Sequence, residues 1–278
     1  MDANEIKKTV GRAVIDREFA AGHLHSGKPG QFFRIGLGTG STAIWAIRRL
    51  AEYCADGRLN DLICVATSLG SQLEAQKLGL NVSDLNDPRV NGRVDFAFDG
   101  ADQVTPEGYL IKGGGAAHTR EKLVEHSAGR FVVLVDESKM VTCLGGDPDA
   151  KPGERSGRCQ CADGPVWNGN AYAIPVEVIP AALVSVTQTL EAFGAIAKPR
   201  ESKGKIGPVV TDNGLFILDA VFPDGLAVGS TTDPVALEMA IKNLPGVLEV
   251  GLFTCPVAGV YIGKSDGSVD FKTFGPLR

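Results

Sequence analysis

The strongest constraint on the fold is a regular alternation of short apolar runs and amphipathic segments over the first half of the chain. The runs are bounded by glycine or polar residues, which is typical of buried strands, and the segments between them repeat apolar residues at helical spacing. Strands are predicted at 32–36, 62–66, 94–98 and 131–135, and helices at 2–20, 42–53, 68–78 and 119–128. This order predicts an α/β fold with a mainly parallel sheet covered by helices on both faces.

The pattern of apolar, glycine and proline residues changes in the second half of the chain. Residues 144–172 are rich in glycine and proline and show little periodicity, which predicts an irregular surface excursion. Beyond them an α+β pattern is predicted, with extended segments at 176–179, 209–210, 215–220 and within 247–274, and helices at 182–193 and 233–244. Asn213-Gly214 predicts a hairpin turn, and Asp233-Pro234 predicts a capped helix start.

Composition and charge argue against several classes of protein. With 28 basic and 33 acidic side chains the net charge is −5, so a basic nucleic-acid footprint is not expected. No run of about 18 apolar residues occurs, and the N-terminal segment lacks the apolar stretch of a secretory signal. Six cysteines include the C-x-C pair Cys159 and Cys161, but no second pair follows at zinc spacing. We therefore expect reduced cysteines, no metal, and a cytoplasmic protein without nucleic-acid or membrane partners.

A glycine-rich loop, residues 36–42, follows the first predicted strand and opens the next helix with the sequence GLGTGST. Small residues let the backbone approach a ligand, and N–H groups at a helix start together with hydroxyls suit a phosphate. The loop is not a Walker loop, and the next strand ends in Thr67-Ser68 instead of the acidic residue that binds a dinucleotide ribose. A phosphorylated small molecule fits better than NAD; a tight strand-to-helix turn is the structural alternative.

Two further loops carry charged groups. Residues 99–102, with the sequence DGAD, follow a predicted strand, and their neighbouring carboxylates suit acid–base chemistry. Residues 112–115, with the sequence KGGG, follow an apolar pair, and the lysine is a candidate for stabilising a developing oxyanion. A capping turn is the alternative for the first of these loops.

Two charged residues beyond these loops are also candidates. Glu121 falls in the first turns of the helix predicted after residues 112–115, where the helix dipole favours a carboxylate, and we expect it to act as a base. Lys139 follows the strand predicted at 131–135 and is a candidate ligand for a phosphate or a sugar hydroxyl. The alternatives are a solvated helix glutamate and a surface lysine.

Together these loops resemble ribose-5-phosphate isomerases of the A type. Each motif is weak alone, but their joint order and spacing are specific, and the resemblance covers most of the chain. It rests on residues 36–42, 99–102, 112–115, 120–122, 136–139, 175–180, 211–214 and 246–253. The resemblance implies an enzyme of the non-oxidative pentose phosphate pathway that interconverts ribose 5-phosphate and ribulose 5-phosphate through an enediol or enediolate. It implies no metal or organic cofactor.

The same resemblance implies an architecture and an assembly. It predicts a Rossmann-like catalytic domain formed by residues 1–174 and 255–278, with the irregular segment 144–172 inside it. A smaller α+β (ferredoxin-like) domain is predicted at 175–254. The expected partner is a small sugar phosphate, and the expected assembly is a homodimer or a dimer of dimers.

The resemblance also implies a role for each candidate residue. Glu121 is expected to carry the proton between C1 and C2, and Asp99 to assist ring opening. Asp102 is expected to position hydroxyls, and Lys112 to stabilise the charge on oxygen. The residues expected to bind the substrate are Gly38, Thr39, Gly40, Ser41, Thr42, Asp99, Gly100, Ala101, Asp102, Lys112, Gly113, Gly114, Gly115 and Lys139.

Three features depart from the family's pattern. Gln103 stands where an acidic residue is usual, which removes a negative charge beside the candidate site. His118 stands where an aliphatic residue is common, and the segment 144–172 is longer than the connection the family leads us to expect. None of these departures removes a candidate catalytic side chain.

Two other functions stay open on the sequence alone. A similar sheet architecture also hosts glutamate-dependent coenzyme A transferases, and a sugar-phosphate sensor would keep the phosphate loop without turnover. Such a sensor usually carries an added DNA-binding segment and lacks the base. Here the first predicted strand begins at residue 32, and Glu121 is present.

Overall fold

The computed structural model of the chain describes residues 1–142, 144–145, 172–204, 206–222, 233–255 and 257–274. The helices lie at Ala3–Ala20 (α1), Ala43–Ala55 (α2), Leu69–Lys77 (α3), His118–Ser127 (α4), Leu183–Ala192 (α5) and Pro234–Lys242 (α6). The strands lie at Phe33–Leu37 (β1), Leu62–Ala66 (β2), Val82–Ser83 (β3), Phe96–Asp99 (β4), Gln103–Val104 (β5), Leu110–Ile111 (β6), Phe131–Asp136 (β7), Ile174–Val178 (β8), Ile196–Pro199 (β9), Phe216–Val221 (β10), Val247–Val250 (β11), Leu252–Phe253 (β12), Gly259–Gly263 (β13) and Val269–Lys272 (β14).

The chain divides into two compact units. The first unit comprises Met1–Gly100, Arg120–Glu137 and Val257–Arg278, and the second comprises Ala101–Thr119 and Ser138–Pro256. Each unit is therefore assembled from stretches that are distant in the sequence. The bounds expected for an inserted domain, 175–254, stay a prediction.

A seven-stranded sheet with the order β14-β13-β7-β4-β1-β2-β3 forms the centre of the first unit. Neighbouring strands in it are parallel, except that β13 and β14 are antiparallel. Successive residues of a strand face opposite sides of a sheet. Ile35 of β1 packs into a core with Val14 of α1 and Ile47 of α2. The next residue, Gly36, faces Val124 of α4, so helices cover both faces of the sheet as predicted.

The second unit contains an antiparallel sheet with the order β11-β8-β10-β9. Because α5 lies between β8 and β9 and α6 lies between β10 and β11, the chain order is βαββαβ, which is that of ferredoxin-like units. Its core includes Val176, Val186, Leu218 and Ile241. A separate sheet with the order β12-β6-β5 belongs to the same unit. The predicted fold class is confirmed.

Local sequence signals set the ends of several elements. The Asp2 side chain accepts hydrogen bonds from backbone N–H groups at the start of α1, and Asp233 does the same for α6. The predicted hairpin turn is also present, because Gly214 adopts φ +75° and Val210 bridges Phe216 in antiparallel pairing. Capping and turn chemistry were therefore sufficient to predict the start of α6 and the turn at 213–214.

The sequence predictions fail in two places. The short strands β3, β5, β6 and β9 were not predicted, since two to four residues carry too little periodicity to register. The predicted surface excursion 144–172 is wrong at its first residue, because Leu144 is buried in the core of the second unit. Residues 146–171, which make up most of that segment, lie outside the described residues.

Three of the six cysteines lie among the described residues. Cys54, Cys64 and Cys255 are thiols and not disulfides. Cys143, Cys159 and Cys161 lie outside the described residues. Among the helices of the described chain, none combines the length and the apolar character needed to cross a membrane.

A buried carboxylate, Glu18 on α1, ties the helix to the sheet of the first unit. Its side chain is 1% exposed and accepts hydrogen bonds from Arg130 at 2.8 and 2.9 Å and from the Tyr261 hydroxyl at 2.7 Å. Burial by itself raises the pKa of Glu18, but the hydrogen bonds from Arg130 and Tyr261 outweigh it and hold that pKa below its ordinary value. Glu18 therefore stabilises the fold as a carboxylate above its unfolded-state pKa, and this contribution is lost as the pH falls through its folded-state pKa.

Replacing Glu18 with glutamine should lower Tm at pH 7 by about 4–8 °C, because Arg130 loses a buried charged partner at a cost of roughly 2 kcal/mol. The difference from wild type should shrink as the pH falls well below 4.5, the ordinary pKa of this side chain. Thermal unfolding from pH 3 to pH 7 measures both effects. Glu5→Gln, which changes an exposed glutamate on the same helix, is the control. Parallel curves of Tm against pH for wild type and Glu18→Gln would contradict this account.

Candidate active site

The glycine-rich loop joins β1 to α2 in the first unit. Gly38 is buried, whereas Gly40 and Ser41 at the tip are exposed. Gly40 adopts φ +107°, a conformation that L side chains rarely adopt, so the structure requires glycine there. The side chain of Thr42 does not cap α2, which leaves this helix start without a side-chain acceptor of its own. An exposed tip at a helix N-terminus suits a phosphate.

Asp99 is the last residue of β4 and lies directly against this loop. Its side chain is buried, and Oδ1 accepts hydrogen bonds from the backbone N–H groups of Thr39 at 2.8 Å and Gly100 at 2.7 Å. Gly38 packs so closely that a Cβ there would lie 2.3 Å from the same oxygen. The glycine-rich loop and this carboxylate are therefore one structural feature.

The hydroxyl of Thr39 belongs to a network that the sequence analysis missed. It lies 2.7 Å from the hydroxyls of both Thr67 and Ser68, which follow β2. Thr67 donates in turn to the Leu37 carbonyl at 3.0 Å, and Ser68 caps α3. In the sequence these two residues served only to argue against a dinucleotide. In the structure they support the glycine-rich loop from the end of the neighbouring strand.

Glu121 lies on α4 with its side chain buried at 6% exposure. Val124, three residues further along the same helix, contacts Gly36 of β1, where a Cβ would lie 2.4 Å from Cγ1 of that valine. Residues three apart share a helix face, so Glu121 lies on the face that packs against the sheet. The alternative of a solvated helix glutamate is therefore wrong.

Asp102 and the second glycine loop lie together in the second unit. The Gly114 N–H donates to Asp102 Oδ2 at 2.7 Å, and the Asp102 N–H donates to the Ile111 carbonyl at 2.8 Å. Burial, and then the adjacent Asp102 carboxylate, raise the pKa of Tyr172, so its hydroxyl stays protonated and hydrogen-bonds that carboxylate. The sequence analysis assigned no role to Tyr172.

Lys112 follows β6 and is almost fully buried, at 3% exposure. Its N–H donates to the Gly251 carbonyl at 2.9 Å, and Nζ lies 5.5 Å from the centre of the Phe253 ring. Gly251 leaves no room for a side chain, because a Cβ there would lie 2.4 Å from the Lys112 carbonyl. Lys112 is therefore fixed at its backbone, where residue 251 packs against its carbonyl, and its side chain is buried beside the Phe253 ring.

Arg200 is a second contributor that the sequence analysis missed. Its guanidinium donates to the carbonyls of Gly113 at 2.8 Å and Gly114 at 3.1 Å. Asp219 on β10 orients it through two hydrogen bonds of 2.8 and 2.5 Å. The glycine loop after Lys112 is therefore held by a side chain that is about 90 residues away in the sequence.

Two of the departures from the family pattern have local explanations. Gln103 is fully buried, and its side-chain carbonyl accepts the Gly145 N–H at 2.7 Å, which a neutral acceptor does without burying a charge. His118 is also fully buried and packs against Gly113, and its Nε2 lies 3.3 Å from the Glu249 carbonyl. Both are structural residues of the second unit.

The remaining predicted site residues are placed more simply. Ala101 is half-buried, Gly115 is exposed, and Lys139 is half-buried at the end of the short 3-10 turn Glu137–Lys139 after β7. The structure brings the predicted site residues together in two groups. The group in the first unit is Gly38, Thr39, Asp99 and Gly100, and the group in the second unit is Asp102, Lys112, Gly113 and Gly114. Within the part of the chain that the structure describes, no group of three or more histidine, cysteine or acidic side chains is arranged to hold a metal ion.

Gly38→Ala should lower activity by shifting the loop away from Asp99, because the added methyl overlaps the backbone of residues 98 and 99, and overpacking of this kind costs roughly 1–3 kcal/mol in folding free energy. Gly70→Ala is the matched control, since a Cβ there would lie 3.8 Å from its nearest neighbour. Steady-state kinetics of the two variants measure the effect. Wild-type kinetics for Gly38→Ala would show that the loop can move away from Asp99 without consequence.

The chain matches the family model described as ribose 5-phosphate isomerase A (phosphoriboisomerase A) over residues 63–150 and 166–267. It is similar to ribose-5-phosphate isomerase A of Treponema denticola, with 37% identity over 270 residues that cover 97% of this chain and 99% of the relative. It is also similar to the solved structure of ribose 5-phosphate isomerase A from Methanocaldococcus jannaschii, with a TM-score of 0.77 and 34% identity. A solved D-ribose-5-phosphate isomerase in complex with phospho-erythronic acid has the same TM-score and identity. Each of these two structural matches covers 98% of this chain and 100% of the other.

Proposed function

The chain belongs to the ribose 5-phosphate isomerase A family, which makes it an enzyme that interconverts ribose 5-phosphate and ribulose 5-phosphate, and we propose that Glu121 carries the proton in that reaction. The observation that carries the proposal is the burial of Glu121 on the sheet-facing side of α4. A buried carboxylate on a rigid helix is held in one orientation, as a proton carrier must be.

The reaction begins with ring opening. The proton on the C1 hydroxyl must leave, and the ring oxygen must receive one, so that the furanose becomes an open aldehyde. Asp99 takes this part in our proposal, because it sits at the end of β4 beside the phosphate loop. Its Oδ1 is already occupied by two N–H groups, which orient the carboxylate.

Isomerisation then moves one proton between adjacent carbons. Glu121 removes the proton from C2, and the C–H electron pair forms the C1–C2 double bond while the negative charge passes to the C1 oxygen. Lys112 stabilises that charge. Glu121 then returns its proton to C1, while the C2 hydroxyl loses its proton as the C1 oxygen gains one. The product has a C1 hydroxymethyl group and a C2 ketone, which is ribulose 5-phosphate.

Binding is assigned to the two glycine loops. Residues 38–42 hold the 5-phosphate through backbone N–H groups at the start of α2, with Lys139 as a further cation. Asp102 and residues 113–115 position the sugar hydroxyls. The relative bound to phospho-erythronic acid supports a phosphorylated sugar ligand, since that molecule joins a phosphate to a short polyhydroxy chain ending in a carboxylate.

We also propose a cytoplasmic homodimer, or a dimer of such dimers, acting in the non-oxidative pentose phosphate pathway. Membership of the isomerase A family supports isomerase activity over the coenzyme A transferase and the sugar-phosphate sensor that stayed open on the sequence alone. Sedimentation of the purified protein at several concentrations tests the assembly, and a monomer throughout would contradict it.

The purified enzyme should convert ribose 5-phosphate after dialysis against EDTA. The proposed steps use only side chains, and the described residues contain no metal-ligand cluster. The assay follows ribulose 5-phosphate formation in EDTA, with and without added divalent ions. Loss of activity that only a divalent ion restores would overturn the metal-free mechanism.

Free ribose is the comparison substrate that tests the phosphate role of residues 38–42. Equal kcat/KM for ribose and ribose 5-phosphate would overturn that role.

A further inference from the structure

A carboxylate with no part in the steps above is buried in the second unit. Glu177 is the fourth residue of the five-residue strand β8 and is fully inaccessible to solvent. It pairs with Ile217 of β10 on one side and with Glu249 of β11 on the other. It belongs to residues 175–180, a stretch that the resemblance includes but to which no role has been assigned. Burying a carboxylate is costly unless its oxygens accept hydrogen bonds, so its neighbours are informative.

Three side chains donate hydrogen bonds to this carboxylate. The Thr211 hydroxyl donates to Oε1, and the Asn213 amide lies 3.2 Å from Oε1 and 3.4 Å from Oε2. Both residues belong to the turn 211–214, another stretch of the resemblance without an assigned role. The third donor is the Thr119 hydroxyl, which bonds Oε2. Thr119 and Thr211 are themselves buried, so solvent does not compete for these bonds.

Thr119 is the second residue of α4, and Glu121 lies two residues further along the same helix. In a rigid helix each residue has a set rotation and rise, so an anchor at Thr119 also determines the height and direction of Glu121. Catalysis is sensitive to such placement, since an error of ~1 Å at a reacting group costs ~10²-fold in rate.

We propose that Glu177 is a positioning residue for the isomerisation, acting through the Thr119 hydroxyl to fix the start of α4 and thereby the carboxylate of Glu121. The inference rests on the proposed role of Glu121 as the proton carrier. Residues 175–180 supply the carboxylate, Thr119 connects that carboxylate to α4, and the bonds from the turn 211–214 are not needed for that connection. The competing account is that Glu177 stabilises only the turn.

The test removes one hydroxyl at a time. Thr119→Val keeps the shape of the side chain and deletes the bond to Glu177, and it should lower kcat about tenfold, which corresponds to roughly 1.4 kcal/mol in activation free energy. KM and the inhibition constant of inorganic phosphate should stay near wild type, because phosphate binding is assigned to residues 38–42. Thr119→Ser retains the hydroxyl and should restore kcat. Because a smaller folded fraction would also lower the apparent kcat at an unchanged KM, kcat is calculated per folded enzyme, whose fraction is measured by circular dichroism.

Thr211→Val is the matched control, because it also deletes one hydroxyl bond to Glu177 but leaves α4 anchored. The Thr211 hydroxyl also accepts the N–H groups of Asn213 and Leu215, each at 3.2 Å, so its loss should lower Tm more than Thr119→Val does. Its kcat should stay within about twofold of wild type. All rates are measured at a temperature where circular dichroism shows each variant to be folded.

Two outcomes would overturn the positioning role. One is a wild-type kcat for Thr119→Val, and the other is an equal loss of kcat in Thr211→Val and Thr119→Val. Glu121→Gln, measured alongside, separates this inference from its premise. If Glu121→Gln retains full activity, the role of Glu121 is wrong and the inference falls with it. If Glu121→Gln is inactive while Thr119→Val is fully active, the positioning role alone is wrong.

Discussion

Glu121→Gln should fold normally and lose ~10²–10⁴-fold in kcat, the usual contribution of a general base. Glutamine has nearly the same shape, so it fills the same buried place on α4, but its amide cannot accept the C2 proton. KM should change much less, because phosphate binding is assigned to another part of the chain. Steady-state kinetics with ribose 5-phosphate measure both constants, and circular dichroism checks the fold.

The same helix offers a matched control for this variant. Glu125 lies one turn further along α4 and is buried to a similar degree, at 7% exposure against 6% for Glu121. Glu125→Gln therefore reproduces the exchange of a buried carboxylate for an amide while Glu121 itself is unchanged, and we expect a kcat close to wild type. Exchange of the C2 proton with solvent is a second readout, and it should slow in parallel with kcat in Glu121→Gln. A near-normal kcat in that variant would reassign the base to Asp99 or Asp102.

The parts of the fold that could be predicted are those that local sequence patterns determine. The strand at 62–66 and the Asp2 cap of α1 follow from five-residue apolar runs and from capping chemistry, which need no knowledge of distant contacts. The strands β5 and β6 were not predictable in this way. Each has two residues, and each forms because β6 also pairs with β12, which is about 140 residues away in the sequence.

The residues of the candidate site likewise divide into those with a local sequence signal and those without one. Gly38 and Asp99 could be identified because each follows a predicted buried strand, where α/β folds place their ligands. Arg200 and Tyr172 could not, because they reach the second glycine loop and Asp102 only through long-range packing. An arginine beside a strand and a tyrosine at the end of an irregular segment carry no local signal of such a role. Asp219 lies opposite Lys198 in the sheet register and therefore diagonal to Arg200, so knowledge of the register would have suggested the Arg200–Asp219 ion pair.

Lys112→Ala should lower kcat by ~10²–10³-fold with a smaller rise in KM, because the charge that Lys112 meets develops only as the enediolate forms. The loss corresponds to about 3–4 kcal/mol of transition-state stabilisation. The setting of the side chain supports a large effect. Lys112 is 3% exposed and its ammonium group lies near the Phe253 ring, so water screens its charge poorly.

Because the Lys112 stem is itself packed, alanine removes both a cation and buried methylene groups. Lys112→Met separates the two, since methionine keeps most of the apolar stem and loses only the charge. If the charge is what matters, Lys112→Met should lose nearly as much kcat as Lys112→Ala while keeping a Tm closer to wild type. Lys122→Met, on the half-buried part of α4, controls for the removal of a positive charge elsewhere. An unchanged kcat with a raised KM in Lys112→Met would make Lys112 a substrate-binding residue. The stabilisation of the enediolate would then have to come from another cation.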